Sequence, residues 1–248
     1  MRGRQVIDSL LLAATRVGTF FGTRPLTNAS GFLFLRDERL FLVTSRHVVV
    51  DAPTRHHPDR LEIELHMSPT ALTASTGFSV PLYRERRSLW RQGRDSGGEI
   101  DLALVELERE ALPEAAVWHA FTPEHLLGKE ETVAVGSALL IVGFPLGFHD
   151  TLHHLPVVRQ SVLASAYGVR FQGQGYFLTD ARTHRGTSGA PVVMHDPAAV
   201  ERGDALPWRL LGVHSARMDM AGRDLEQDES LGLNCAWYAD MLLALTRD

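Results

Sequence analysis

Three short segments carry side chains that can take part in nucleophilic and acid–base chemistry. They are residues 44–49 with His47, residues 99–104 with Asp101, and residues 186–191 with Ser188. A serine hydroxyl is a weak nucleophile that needs a base within hydrogen-bond reach, and an imidazole can be that base. A carboxylate can hold the imidazole in one tautomer and stabilise its charged form. Each segment taken singly is also typical of a strand end or a tight turn, so the chemistry requires that the three meet.

The composition limits the kinds of protein that this chain can be. It has 248 residues, 44% of them hydrophobic, with 25 basic and 30 acidic side chains and a formal charge of −5. This suffices for one large core or two modest ones, and the acidic balance disfavours binding to nucleic acid, which needs a basic surface. The single cysteine, Cys235, excludes an intrachain disulfide framework and a thiolate-rich metal site. No cofactor is implied.

No segment of the sequence is expected to enter a membrane. The longest uncharged stretch, residues 132–148, is interrupted by glycines and a proline and falls short of the ~20 apolar residues of a spanning helix. Near the N-terminus, the apolar run at residues 10–14 is shorter than the ~7–15 residues of a secretory signal. We therefore expect a cytoplasmic protein without a membrane partner.

Short β-like runs separated by turn signals dominate the chain. Residues 31–35 and 40–44 flank a polar loop of hairpin length, and residues 61–66 alternate apolar and polar side chains. Further runs lie at residues 100–107, 133–142, 157–164, 175–178, 190–194 and 210–213. Many short strands without long helical patterns between them predict an all-β fold of barrels or sandwiches.

Several other segments have different patterns. Helical patterns predict a short turn at residues 6–13 and a C-terminal helix at residues 235–246. We interpret the arginine-rich segment 84–98 as an exposed loop, with an anion-binding or regulatory contact as the alternative. Residues 219–230 are interpreted as an exposed hairpin or loop. A boundary between two barrels would fit the irregular segment 113–132.

The order His, Asp, Ser and the residues around each resemble those of the trypsin-like serine peptidases of the chymotrypsin fold. The segments TSRHVV, IDLALVEL and GTSGAPVV are similar to the three catalytic motifs of that family, and LLGVHS at residues 210–215 is similar to its substrate-pairing strand. The resemblance covers nearly the whole chain as one peptidase unit. It implies two antiparallel six-stranded β-barrels, residues 1–120 and 121–248, with the active site between them and a C-terminal helix.

The resemblance also implies a serine endopeptidase that acts on a protein or peptide through an acyl-enzyme intermediate. Ser188 would be the nucleophile, His47 the general base and Asp101 the group that orients the imidazole. The backbone N–H groups of Gly186 and Ser188 would hold the oxyanion, and Gly186 suits this role because it lacks a Cβ. An α/β-hydrolase is disfavoured, because its G-x-S-x-G elbow needs glycine where Ala190 stands.

The residues expected around the substrate side chain differ from those of trypsin. Arg182 stands where trypsin has a carboxylate, which disfavours cleavage after Lys or Arg. Thr183 and His214, with the substrate-pairing Ser215, are similar to the pair that binds glutamate in bacterial glutamyl endopeptidases. We therefore expect cleavage after acidic residues, with Arg217 either binding an acidic side chain or obstructing the pocket mouth. The alternative is that Thr183 and His214 only bond to each other or to the barrel backbone.

Two other interpretations stay open. The first is a catalytically silent or latent binding module, in which the same three residues are present but not aligned. The second is a metal site at the histidines of residues 56–57 or 149–154, which lie near aspartates in the sequence. Solvated loop histidines explain both groups, so no metal is predicted. The sequence makes no prediction about the oligomeric state.

Overall fold

The structure of the chain is a computed structural model that describes residues 7–128, 130–218 and 231–247. β-Strands dominate these ranges, as the short apolar runs predict. The exposed hairpin or loop predicted for residues 219–230 lies outside the described residues. None of the helices within the described ranges combines the length and the apolar character that a bilayer-spanning segment requires.

The first half of the chain forms an eight-stranded sheet and two small hairpins. Its strands are β1 (Ala14–Phe21), β2 (Arg24–Arg36), β3 (Arg39–Thr44), β4 (Arg60–His66), β5 (Ser75–Pro81), β6 (Tyr83–Arg84), β7 (Arg87–Ser88), β8 (Trp90–Arg91), β9 (Arg94–Asp95), β10 (Gly98–Glu99), β11 (Ala103–Leu107) and β12 (Ala120–Phe121). The sheet order is β5-β4-β1-β2-β3-β11-β8, and β12 pairs in parallel with β2. Its curved inner face buries apolar side chains, among them Val17, Leu42, Ile63 and Val105.

This first sheet does not close through hydrogen bonds among the described residues. Its edges are β5 and β8, and the β6–β7 hairpin lies between them in the chain. The residues of that hairpin pair with each other, and no ladder among the described residues joins them to β5 or β8. One backbone hydrogen bond, from Leu89 N to Leu82 O at 2.9 Å, ties the base of the hairpin. The first half of the chain was expected to form a closed barrel, and its hydrogen-bonded strands form an open sheet with β5 and β8 at the edges.

The arginine-rich segment 84–98, which we interpreted as an exposed loop, contains short stretches of β-structure. It contains β8, which pairs with β11, and the small β9–β10 hairpin. Most of its arginines are exposed, as predicted. Two of them form ion pairs with carboxylates next to β8: Arg84 with Glu108 at 3.0 Å and Arg91 with Glu106 at 3.5 Å.

The second half of the chain forms a closed antiparallel barrel of six strands. They are β13 (Ala138–Gly143), β14 (Val157–Leu163), β15 (Tyr176–Asp180), β16 (Pro191–His195), β17 (Trp208–Arg217) and β18 (Leu233–Tyr238). The order is β13-β14-β15-β18-β17-β16, and β16 pairs with β13 to complete the ring. Ile141, Leu163, Phe177 and Val192 fill its interior. The all-β class is confirmed, whereas the division at residue 120 stays a prediction.

The helices within the described ranges are short and lie at connections between strands. They are α1 (Arg46–Val49), α2 (Pro197–Arg202) and α3 (Met241–Leu245), with 3₁₀ helices at Ser9–Leu12, Arg109–Ala111, Pro123–His125, Pro145–Gly147 and Phe171–Gly173. The predicted N-terminal turn corresponds to the first of these 3₁₀ helices.

The C-terminal helix is shorter than predicted. The sequence pattern places its start at Cys235, but Cys235 lies in β18, which pairs with β15 on one side and β17 on the other. Both ladders satisfy backbone groups that a helix would have to satisfy internally, and Trp237 packs edge-on against Tyr176 of β15. The helix α3 follows and contacts the first sheet, where the Arg36 guanidinium donates to Leu243 O at 2.6 Å.

Candidate active site

His47 lies where the first sheet meets the barrel. Strand β3 ends at Thr44, and α1 begins two residues later with Val48 and Val49 buried in the core of the first sheet. These two anchors fix the short helix, and His47 in its first turn keeps a side chain that is 37% exposed. The imidazole is therefore held by its backbone and remains accessible to a substrate.

Asp101 lies two residues before β11 and faces His47. Its neighbours Ile100 and Leu102 are buried, which fixes the backbone at this point. One carboxylate oxygen accepts from His47 N at 2.9 Å, and the other accepts from His47 Nδ1 at 2.7 Å. An ionised carboxylate only accepts hydrogen bonds, so Nδ1 carries the proton and the neutral imidazole keeps its lone pair on Nε2.

The two groups shift each other's pKa in opposite directions. Burial favours neutral His47, but the hydrogen bond and the charge of Asp101 outweigh it and raise the pKa of His47 above 6.5. Burial likewise works against ionised Asp101, but the hydrogen bonds and charge of His47, together with the Ser215 hydroxyl, lower the pKa of Asp101 below its ordinary value. Asp101 is thus an anion at neutral pH, and His47 keeps its proton to higher pH than an ordinary imidazole does.

Ser188 stands in a tight turn between two glycines with positive φ. Gly186 has φ of +89° and Gly189 has φ of +87°, a region that other residues rarely adopt. A Cβ on Gly189 would lie 2.2 Å from Ser30 O, so the turn also needs glycine for close approach to the first sheet. The Ser188 hydroxyl donates to Ser215 O at 2.9 Å and forms no hydrogen bond with the described atoms of His47.

Ser215 connects these groups. Its hydroxyl donates to Asp101 Oδ2 at 2.5 Å, and its carbonyl accepts from the Ser188 hydroxyl. The structure therefore brings Asp101, His47 and Ser188 into one cleft, with a direct contact between the first two and an indirect one through Ser215 to the third. The sequence predicts a substrate-pairing role for Ser215 but gives no sign of its bond to the carboxylate.

The backbone N–H groups of Gly186 and Ser188 have no hydrogen-bond acceptor among the described residues. The carbonyls on the other side of the same peptide groups are occupied: Arg185 O accepts from Leu146 N at 2.5 Å, and Thr187 O accepts from Ala190 N at 2.9 Å. The C=O and N–H of a trans peptide point in opposite directions. The bonds to Arg185 O and Thr187 O therefore point the N–H groups of Gly186 and Ser188 away from Leu146 and Ala190. Two adjacent donors remain available for an anion.

Of the residues predicted to line the substrate pocket, His214 and Thr183 are buried and Arg217 is exposed. His214 is 2% exposed, its Nδ1 has no hydrogen-bond partner in the described part of the chain, and burial together with the charge of His47 lowers its pKa to about 3. Thr183 is also buried, and its hydroxyl donates to Asn234 Oδ1 at 2.5 Å. Thr183 and His214 do not bond to each other. Arg217 is exposed at the end of β17.

Asn234 is a buried partner of Thr183 that the sequence did not predict. Its side-chain amide donates to the carbonyls of Ala181 at 2.8 Å, Gly232 at 3.2 Å and Thr179 at 3.3 Å. These three acceptors fix the orientation of the amide, so its oxygen faces Thr183. An asparagine inside the apolar strand run at residues 233–238 is unusual for a strand and was the available signal.

The histidine-rich segments do not converge on one point. His153 Nδ1 contacts Asp150 at 2.7 Å within its own loop, and His56 Nε2 donates to Val48 O at 3.0 Å. In the parts of the chain that the structure describes, no three histidine, cysteine or acidic side chains group as metal ligands would. His153 and His56 thus make local contacts, whereas His154 forms an ion pair with Glu64 of β4 at 3.8 Å.

Comparison with known proteins identifies the class that this fold and site define. The structure of a serine endoprotease from Yersinia pestis aligns with 95% of this chain and 62% of that chain, with a TM-score of 0.56 and 16% identity, which supports the shared fold. Residues 29–200 match the trypsin-like peptidase domain family. The match covers more than half of the chain, and the chain belongs to this family.

Two named relatives extend the comparison. Mitochondrial serine protease HTRA2 of Drosophila pseudoobscura pseudoobscura is 25% identical over 186 residues, which make up 75% of this chain and 36% of that protein. HTRA2 of Drosophila virilis is 24% identical over the same length and is covered to 37%. The chain thus spans little more than a third of these relatives. They do not confirm the predicted likeness to glutamyl endopeptidases.

Proposed function

We propose that this chain is a serine endopeptidase in which His47, Asp101 and Ser188 form the catalytic triad and a protein or peptide is the substrate. The observation that carries this proposal is the Asp101 carboxylate, which accepts from the backbone N–H and the Nδ1–H of His47 and from Ser215, the residue that also holds Ser188. Membership of the trypsin-like peptidase family supports the same assignment.

In the proposed reaction, the substrate carbonyl lies beside Ser188 and the serine hydroxyl leaves Ser215 O for His47 Nε2. Hydrogen bonds at catalytic sites are often long or differently paired before substrate binds. The Ser188 oxygen attacks the carbonyl carbon while its proton moves to Nε2, and Asp101 stabilises the resulting imidazolium. The product of this step is a tetrahedral intermediate with a negative oxygen.

The N–H groups of Gly186 and Ser188 are proposed to bind that oxygen. The intermediate collapses when His47 returns the proton to the leaving amine, which breaks the peptide bond and leaves an ester on Ser188. Water then repeats the sequence with His47 as the base, releasing the carboxylic acid and restoring the serine. Proteomic identification of new protein termini that appear with the wild type and not with Ser188→Ala tests the reaction.

We expect the peptidase activity to fall in acid through the titration of His47. The imidazole must be neutral to accept the proton of Ser188, and Asp101 raises the pKa of His47 above 6.5. The protonated, inactive form therefore persists above pH 6.5, and the half-maximal point of the acid limb of kcat/KM should lie above that value. A pH profile of peptide hydrolysis measures it, and a half-maximal point well below pH 6.5 contradicts the assigned base.

We further propose that the enzyme cleaves after Glu or Asp. Arg182, Arg185 and Arg217 are exposed around the serine turn and the end of β17, and none forms an ion pair with a described carboxylate. His214 is neutral at working pH because its pKa is about 3, and a neutral imidazole has one N–H that can donate to a carboxylate. The hydroxyl of Thr183 donates to Asn234, so Thr183 contributes less to binding an acidic side chain than the sequence predicts.

Peptide-library cleavage tests this preference. The wild type should cut mainly after acidic residues, and His214→Leu should lower kcat/KM for such a peptide by about 10- to 100-fold, the range for a lost hydrogen bond to a charge. His195→Leu, which changes an exposed histidine packed edge-on against Trp208, is the matched control and should retain activity. Dominant cleavage after lysine or large apolar residues would exclude the proposed preference.

One observation favours the alternative of a catalytically silent binding module: Ser188 bonds to Ser215 O and not to His47. A fluorophosphonate probe separates the two functions, because it reacts only with an activated serine. Labelling that disappears in Ser188→Ala supports the peptidase. Tight binding of a peptide without labelling or cleavage under any condition supports the module.

A further inference from the structure

We propose that Ser30, a residue of the first sheet, is the positioning residue that fixes the proposed oxyanion hole of the barrel. It lies in β2, is 0% exposed, and is far in sequence from the serine turn. The inference rests on the proposed function, since it concerns the N–H groups that would bind the oxyanion. Ser30 itself contacts neither the reacting atoms nor the substrate.

All polar atoms of Ser30 are used at this junction. Its backbone N–H donates to Ser188 O at 2.9 Å, and its hydroxyl donates to Gly186 O at 2.8 Å. The same hydroxyl accepts from Phe144 N at 2.9 Å, and the backbone carbonyl accepts from Thr44 Oγ1 at 2.8 Å. One residue therefore holds the carbonyls of both proposed oxyanion residues and also contacts the strand that leads to His47.

The loop that follows β13 completes this support. Phe144, held by the Ser30 hydroxyl, precedes the 3₁₀ helix Pro145–Gly147, in which Leu146 has an unfavourable φ of +55°. In that conformation Leu146 N donates to Arg185 O, which turns the N–H of the Arg185–Gly186 peptide to the opposite side. A non-glycine φ of this kind persists only where surrounding contacts determine it.

Close packing makes the arrangement specific. A Cβ on Gly143 would lie 2.5 Å from the Ser30 hydroxyl, and a Cβ on Gly186 would lie 2.7 Å from Phe144 O. The three segments therefore approach each other at backbone distance, where no water or longer side chain fits between them. Without the Ser30 hydroxyl, Gly186 O and Phe144 N lose their partners together, and the peptide groups on either side of Gly186 lose their fixed orientation.

The second-order rate of reaction with a fluorophosphonate tests this role, because the phosphonyl oxygen occupies the oxyanion hole and no knowledge of the peptide substrate is needed. Ser30→Ala should slow labelling by about 10- to 1,000-fold, up to the loss caused by removing one oxyanion donor. The matched control is Ser161→Ala, which removes another buried hydroxyl that donates to a backbone carbonyl, Asp180 O at 3.1 Å, outside the cleft. Thermal unfolding of both variants measures their loss of stability.

A positioning role predicts that both variants lose similar stability while only Ser30→Ala reacts slowly. With a cleaved peptide, Ser30→Ala should lower kcat and leave KM within about threefold of wild type. Ser30→Cys keeps a weaker donor of similar size, so it should fold and react at an intermediate rate even where the alanine variant does not fold. A wild-type labelling rate in Ser30→Ala, or in Ser30→Cys if only that variant folds, overturns the proposal. If the wild type itself does not label, the proposed peptidase function fails first, and this inference fails with it.

Discussion

Replacement of Ser188 by alanine is expected to reduce peptide hydrolysis by roughly 10⁴-fold or more, the scale of nucleophile removal in serine peptidases. The alanine methyl group cannot form the acyl-enzyme ester, whereas the oxyanion donors and the pocket remain in place. Binding should therefore survive while turnover is lost. Initial rates on a fluorogenic casein substrate, combined with binding of a product peptide, measure the two quantities separately.

The control for this prediction is Ser165→Ala. Ser165 is also half-buried, and its hydroxyl accepts from Leu178 N at 2.9 Å on the barrel, away from the cleft. It should retain hydrolysis within a few-fold of wild type. Full hydrolysis by Ser188→Ala would show that another group is the nucleophile.

Asp101→Asn is expected to lower kcat by about 10⁴-fold while leaving the fold intact. An asparagine amide keeps the size of the carboxylate but has only one acceptor oxygen. The carboxylate accepts from three donors: the backbone N–H of His47, its Nδ1–H and the hydroxyl of Ser215. The imidazole then loses its enforced Nδ1–H tautomer. Steady-state kinetics on a cleaved peptide measure the loss.

The same variant should also move the pH profile. The charge of Asp101 contributes to the raised pKa of His47, so its removal lowers that pKa and shifts the acid limb of the residual activity to lower pH. Asp204→Asn, which changes an exposed carboxylate paired with Arg202, is the control and should alter neither quantity. An unchanged acid limb in Asp101→Asn would contradict the pairing as the cause of the shift.

The three chemistry-bearing segments were predictable because each lies at a strand end marked by strong local patterns. The run LFLVT before His47 predicts a strand, and GTSG around Ser188 predicts a tight turn, without any tertiary information. Five of the six strands of the closed barrel were predictable for the same reason, and β18 was the exception. Local patterns do not determine which strands pair. At the open side of the first sheet, the residues of the β6–β7 hairpin pair with each other and not with β5 or β8.

Ser30 and Asn234 escaped prediction for a related reason. The residues next to Ser30 in the sequence give no sign of its role. Its hydroxyl bonds to Phe144 and Gly186, which are 114 and 156 positions away. Asn234 donates to the carbonyls of Thr179 and Ala181, which are 55 and 53 positions away and which no spacing rule relates to it. The strand at Cys235 was read as helix because the apolar stripe of a short segment fits both periods, and only its two neighbouring strands decide between them.

The most direct test of the central claim is to locate the covalent adduct of a fluorophosphonate by tandem mass spectrometry of the trypsin-digested protein. Ser188 lies in the tryptic peptide of residues 186–202. The proposed triad predicts one adduct, on Ser188, in the native wild type, and none in the unfolded protein or in folded His47→Ala. An adduct on a different residue, or no adduct on the folded wild type, would contradict it.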